Sequence, residues 1–221
     1  MAFTQVCTIH NLIEQHKEKV DKGESMDRLE KQMAFILEID KEKSINRQTY
    51  IADASRKEND AEHAWHMAVM ALLLKEHAKE EGDLLKIISM LLIHDLVEID
   101  AGDTYAYDQE AKKSQKEREE KAAGRLFGML PKDQGEELLK LFEEFELGQT
   151  PEAKFAKALD RFQPLMLNDA AGGKSWKEHD VKRSQIEERN KETAVNAKPL
   201  WEYGVRNFIN PNVKNGNIID E

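Results

Sequence analysis

Residues 84–101, LLKIISMLLIHDLVEIDA, constrain this chain more than any other stretch. The run is apolar on nearly every side of a helix, which marks the buried centre of a helical bundle. It nevertheless carries His94, Asp95 and Glu98. An unpaired buried charge costs on the order of several kcal/mol or shifts its pKa until it is neutral. Helical spacing sets His94 and Asp95 both beside Glu98 across one turn. Three ionisable groups therefore share one patch, which is either an internal hydrogen-bonded network or a site. The longest apolar stretch, Ile87 to Ile93, is broken by Ser89 and falls far short of the roughly 20 residues a bilayer span needs. No membrane crossing is expected.

Helical spacing extends beyond that run. Apolar residues recur at intervals of three and four and prolines number only five, so the predicted class is all-α. Met26 to about Asp40 reads as a helix with Leu29, Met33, Ile36 and Leu37 in one apolar stripe. A polar connector follows, KEKSINRQTYIADASRKEND, with the character of an active-site loop. Residues 61–81 are predicted as a second helix that turns Trp65, Val69, Leu72 and Leu73 to the core and stops at Gly82. Asp83 caps the central helix and Gly102 ends it. Further helices are expected over 109–130, 134–145 and from Pro151 through Asp160 to about Leu167. A break at 168–173, a polar helix over 181–197 and a loosely held tail, NPNVKNGNIIDE, complete the reading. The expected organisation is an N-terminal helical appendage (1–25), a main domain (26–167) and a C-terminal helical extension with its tail (168–221).

Charge narrows the partners. Thirty-three Lys+Arg against 43 Asp+Glu give a net charge of -10, which repels a nucleic-acid polymer while letting a small anion bind locally. Cys7 is the only cysteine, which excludes an intrachain disulfide. The N-terminus has no basic head followed by an apolar block, so a cytoplasmic location is expected. Apolar residues exposed among the helices would permit a homodimer.

A His-Asp dipeptide is weak evidence alone, because seven His and fifteen Asp predict about 0.5 by chance. It occurs twice. His179-Asp180 lies in KSWKEHDVKRSQ, a charged stretch that reads as solvated surface. The copy at His94 has a more specific context: RKENDAEHAWHMA upstream, Glu98 and Gly102-Asp103 just after it, and KALD ending at Asp160. This combination resembles the HD-domain phosphohydrolases, and more narrowly the small 5′-deoxynucleotidase branch and its HD-domain-containing-protein-2 relatives. The likeness runs from about Met26 to Leu167. Lys57 as an inserted position and the polar Asp60 are departures from it.

The resemblance implies an HD-domain helical bundle whose buried central helix carries the dipeptide. It puts His63, His94, Asp95 and Asp160 on the metal ligands. Two imidazoles and two carboxylates suit Mn²⁺, Fe²⁺, Co²⁺ or Zn²⁺ better than Ca²⁺, which favours oxygen alone. Larger relatives hold two metals with two further histidines before the last aspartate; none lies here between His94 and His179, so one divalent ion is expected. Glu98 and Asp103 fall on the catalytic acids, Asp103 to orient or deprotonate water and Glu98 to move a proton at the leaving oxygen, or the reverse. A phosphomonoester also needs cations, for which Arg47, Arg56 and Lys157 are the candidates. His66 reads as a packing or supporting histidine. Gln48 stands where a tryptophan can crowd the sugar, so ribo- and deoxyribonucleotides are expected to differ by less than about 100-fold, with Tyr50 or Trp65 as alternative walls.

The implied activity is phosphate release from a small phosphomonoester, foremost a nucleoside 5′-monophosphate. A phosphodiesterase or pyrophosphohydrolase of a signalling nucleotide is the alternative enzyme. A non-catalytic helical regulatory module with a structural metal is the alternative of another class.

Overall fold

The computed structural model describes residues 27–102 and 114–221. The expected appendage, with Cys7, and Asp103 lie outside the described residues.

Helix α1, Arg28–Ile39, starts at Asp27, whose side chain accepts from the Glu30 N–H while Glu30 reaches back to the Asp27 N–H. The stripe expected to pack is not the one that does. Phe35 is buried, whereas Leu29, Met33 and Ile36 are exposed. Periodicity finds an amphipathic helix but does not say which side meets a neighbour. A 3₁₀ turn, Asp40–Ser44, leads into a small antiparallel hairpin of β1, Asn46–Tyr50, and β2, Lys57–Asn59. The polar connector is thus ordered, and strand β1 brings Arg47 toward the dipeptide.

Helix α2, Asp60–Leu74, is capped by Asn59, which accepts from the Glu62 N–H. Its buried face is Ala64, Met67, Ala68, Met70 and Ala71, while Trp65, Leu72 and Leu73 are exposed, opposite to the expectation. Small residues and methionine let α2 lie close against α3, Leu84–Ile93, which Asp83 caps. Helix α3 buries Ile87, Met90 and Leu91 but exposes Leu85 and Leu92, so it is sunk on one side only. At His94 the α-helix gives way to a 3₁₀ turn, His94–Val97, before α4, Glu98–Ala101, ends at Gly102 with φ 74°. Eclipsed side chains three apart in a 3₁₀ turn aim Asp95 and Glu98 to the same side.

Helices α5, Gln115–Phe127, and α6, Lys132–Leu147, follow, and α6 stops at the left-handed Gly148. The long α7, Pro151–Ala170, is capped by Thr150 and carries Asp160 and Pro164. The expected polar helix over 181–197 is two short ones, α9, Arg183–Arg189, and α10, Lys191–Asn196, after α8, Lys174–Glu178. Helix α11, Lys198–Gly204, a π turn, Val205–Ile209, and α12, Asn210–Lys214, finish the chain.

Two hydrophobic clusters organise the molecule. The larger joins α2, α3 and α7 to the C-terminal helices through Trp176, Val181, Ile186, Leu200 and Ile209. The smaller joins Phe35, Leu96 and Val97 to α5 and α6. The expected loose tail is part of this packing: Asn212 and Ile218 are buried, and Ile219 bridges to Lys182. Among the described residues no helix is long and apolar enough to cross a membrane.

Candidate functional site

The site lies where the two clusters meet. His63 comes from the first turn of α2, His94 and Asp95 from the 3₁₀ turn, and Asp160 from the middle of α7. His63, His94 and Asp160 each offer a ligand atom, and these atoms lie within 4.8 Å of one another. His63 Nε2 is 3.2 Å from Asp160 Oδ1, and His94 Nε2 is 3.8 Å from the same oxygen.

Both imidazoles are anchored through the far nitrogen. His94 Nδ1 lies 3.0 Å from the Leu91 carbonyl and His63 Nδ1 3.1 Å from Gln163 Oε1. Each therefore donates from Nδ1 and turns Nε2 inward, the tautomer a metal ligand requires. His94 Nε2 is buried and makes no hydrogen bond. Gln163, fully buried, donates its amide to Glu58 at 2.7 Å and to His66 Nδ1 at 3.2 Å. His66 thus supports the amide that orients His63. Pro164, lacking an N–H, withholds the helical donor that the Asp160 carbonyl four residues earlier would receive.

Asp95 adjoins the cluster, with Oδ1 3.2 Å from His94 Nε2, but its Oδ2 accepts from Arg47 Nη1 at 2.6 Å. The same Arg47 nitrogen reaches Asp60 at 3.1 Å. Burial disfavours the charged form of both imidazoles, yet Asp95 and Asp160 hold His94 well above the ordinary histidine value, and Asp160 and Glu58 raise His63 despite Arg47. The histidines in turn keep Asp160 well below the carboxylate range against its own burial, and His94 with Arg47 does the same for Asp95. Two imidazole protons and a divalent cation are alternative ways to balance the same carboxylates. Converging nitrogen and oxygen donors, one buried imidazole nitrogen without a hydrogen bond, and fixed tautomers fit a Mn²⁺, Fe²⁺, Co²⁺ or Zn²⁺ ion.

The cluster opens on a cavity of about 240 Å³, lined among others by Arg47, Asp95, Glu98, Lys157 and Asp160. Glu98 is buried there. A larger cavity between α5 and α6, about 890 Å³, shares Gln115, Glu119, Phe142 and Glu146 with it. Of the other expected residues, Arg56, Gln48, Tyr50, Trp65 and Lys157, only Lys157 lines the cavity. Arg56 is exposed and clamps Glu62 with two bonds of 2.7 and 2.6 Å, and Glu62 closes the cap of α2. Gln48 accepts from Lys57, Tyr50 bonds Glu178, and Trp65 is exposed, so none of the three is a wall of this cavity among the described residues. Lys157 donates to the Glu146 carbonyl at 2.9 Å and lies over the Phe145 ring. Sequence reasoning missed Gln163, Glu119, Arg161 and Arg189. The available signal was spacing alone: Arg161 follows Asp160, and Gln163 stands one helical turn after it.

A family model described as HD domain matches residues 39–201. Human 5′-deoxynucleotidase HDDC2 is 32% identical over 114 residues, 52% of this chain and 54% of that protein. The Bos taurus protein of that name is 34% identical over 115 residues, with the same shares. The 5′-deoxynucleotidase hdd1 of Schizosaccharomyces pombe is 30% identical over 114 residues, 50% of this chain and 56% of that protein. The chain thus spans about half the length of the curated relatives it matches. The crystal structure of a "predicted metal-dependent phosphohydrolase" from Magnetospirillum magnetotacticum MS-1 superposes with a TM-score of 0.82 at 47% identity, covering 86% of this chain and 95% of that one.

Proposed function

The chain belongs to the HD-domain family, and on that premise we propose that it is a metal-dependent phosphohydrolase releasing phosphate from a nucleoside 5′-monophosphate. One observation carries the reading: His63, His94 and Asp160 bring ligand atoms within 4.8 Å, with both imidazoles anchored at Nδ1, beside a cavity that His94 and Asp160 line. The deoxynucleotidase names of the curated relatives and the phosphohydrolase name of the structural one support the substrate class.

In this reading His63, His94 and Asp160 would hold one divalent ion, with Asp95 as the fourth ligand through Oδ1, which lies 3.2 Å from His94 Nε2, while Arg47 keeps its Oδ2. The ion supplies Lewis acidity, drawing charge from a phosphoryl oxygen and lowering the pKa of water. Gln163 fixes the His63 ring and so the direction of its lone pair. Arg47, which lines the cavity, balances Asp60 and Asp95. Glu98 faces the cavity and transfers a proton at the leaving oxygen, with Asp103 assigned to water. The cavity and its larger neighbour together leave room for sugar and base, since ligand pockets span roughly 300–1,000 Å³.

The test is phosphate release from a panel of ribo- and deoxyribonucleoside 5′-monophosphates, with each candidate metal and with chelator. Hydrolysis of at least one nucleotide that needs the metal is expected. Absence of turnover on every nucleotide with every metal contradicts the reading. Because Gln48 does not line the cavity, paired dAMP and AMP kinetics decide the sugar preference independently of that residue.

A further inference from the structure

The cavity beside the metal cluster has four cationic side chains among its described lining residues: Arg47, Lys157, Arg161 and Arg189. Two are already engaged. Arg47 lies on Asp95 and Asp60, and Lys157 on Glu146. Arg161 and Arg189 have no hydrogen bond or ion pair within the described residues, although carboxylates of Glu98, Glu119 and Glu146 line the same cavity. Burial holds the Arg161 pKa below its ordinary value, with the Arg189 charge adding to the effect and the carboxylates of Asp160, Glu192 and Glu146 opposing it. Two guanidiniums that repel each other across a cavity are poorly placed as structure and well placed to receive an anion.

Both backbones are fixed. Arg161 sits between Leu159 and Phe162, which α7 buries in the larger cluster. Arg189 ends α9 between the buried Ile186 and Asn190, and Asn190 donates to the Ile186 carbonyl at 3.0 Å. One arginine thus comes from the residue after a metal-cluster aspartate and the other from the C-terminal helices.

We infer that Arg161 and Arg189 together form the anion grip of this cavity, binding the non-bridging oxygens of the substrate phosphate in place of Arg56 and Lys157. The inference rests on the phosphomonoesterase reading for its substrate, but the grip itself is a property of phosphate binding. It makes the segment beyond residue 167 a contributor to the site through Arg189.

The experiment measures binding of inorganic phosphate to metal-loaded protein freed of excess metal, in wild type, Arg161→Gln, Arg189→Gln, Arg161→Lys and Arg189→Lys. Arg183→Gln is the control: it removes the same charge from α9 but is paired with Glu187 at 2.8 Å and is not a lining residue. Each glutamine variant is expected to weaken phosphate binding at least about tenfold, with bound metal and melting temperature unchanged. The lysine variants recover part of the loss, because the charge stays but the fork is gone. The control stays within twofold. Phosphate affinity within twofold of wild type in both glutamine variants, or, where one glutamine variant does not fold, in the lysine variant at that position together with the other glutamine variant, overturns the grip. Wild-type protein that hydrolyses no nucleotide yet loses phosphate affinity in these variants keeps the grip and removes the phosphomonoesterase reading.

Discussion

Gln163 has no exposed surface, and only one orientation of its amide satisfies its neighbours: oxygen to His63 Nδ1, nitrogen to Glu58 and His66. Replacing it with leucine keeps the bulk and removes both functions. Gln163→Leu is expected to weaken metal binding by about 10- to 100-fold, as measured by competition with a calibrated chelator. An unchanged affinity would show that the His63 ring is set by packing alone. At this scale His94 and Asp95 were legible as charged groups in an apolar run, and His63 and Asp160 only through the motif resemblance; the structure brings His63, His94 and Asp160 together. Gln163, Arg161 and Arg189 were not legible. Each looks like an ordinary polar residue on a helix, and their importance arises only when α2, α7 and α9 meet.

Among the elements, α2 shows how a motif divides its work. Asn59 caps the helix, Glu62 closes the capping box, Arg56 holds Glu62, and the next residue, His63, is a cluster member. Part of the upstream motif thus builds the helix start that aims the histidine, and Arg56 serves this cap from outside the cavity. Asn59→Ala is expected to lower stability by about 1 kcal/mol, in thermal unfolding of chelator-treated protein. A change below about 0.3 kcal/mol would mean that the hairpin, not the cap, fixes the start of α2. Helix positions were legible, with starts marked by Asp83 and Pro151 and a break near 170, although α2 ends at Leu74 and not at the expected Gly82. The hairpin was not, because β1 is polar and pairs with only three residues of β2. Nor was the 3₁₀ turn at His94, because the apolar pattern runs through it without interruption.

For the whole molecule, the described helices bring the His63, His94 and Asp160 cluster and the cavity beside it to the junction of two cores. The larger core includes helices beyond residue 167, and the family match runs to residue 201. Burial was misread on α1 and α2 because a lone sequence states how apolar a face is but not whether another element reaches it. The account as a whole stands on a single ion held by these donors and needed for turnover. The direct measurement is bound metal per chain together with phosphate release, in wild type and in Asp160→Ala, before and after chelation. The account predicts one ion per wild-type chain, loss of that ion and of activity in Asp160→Ala, and recovery of wild-type activity when metal is restored after chelation. Full metal occupancy in Asp160→Ala, or phosphate release that persists in chelator, would contradict it.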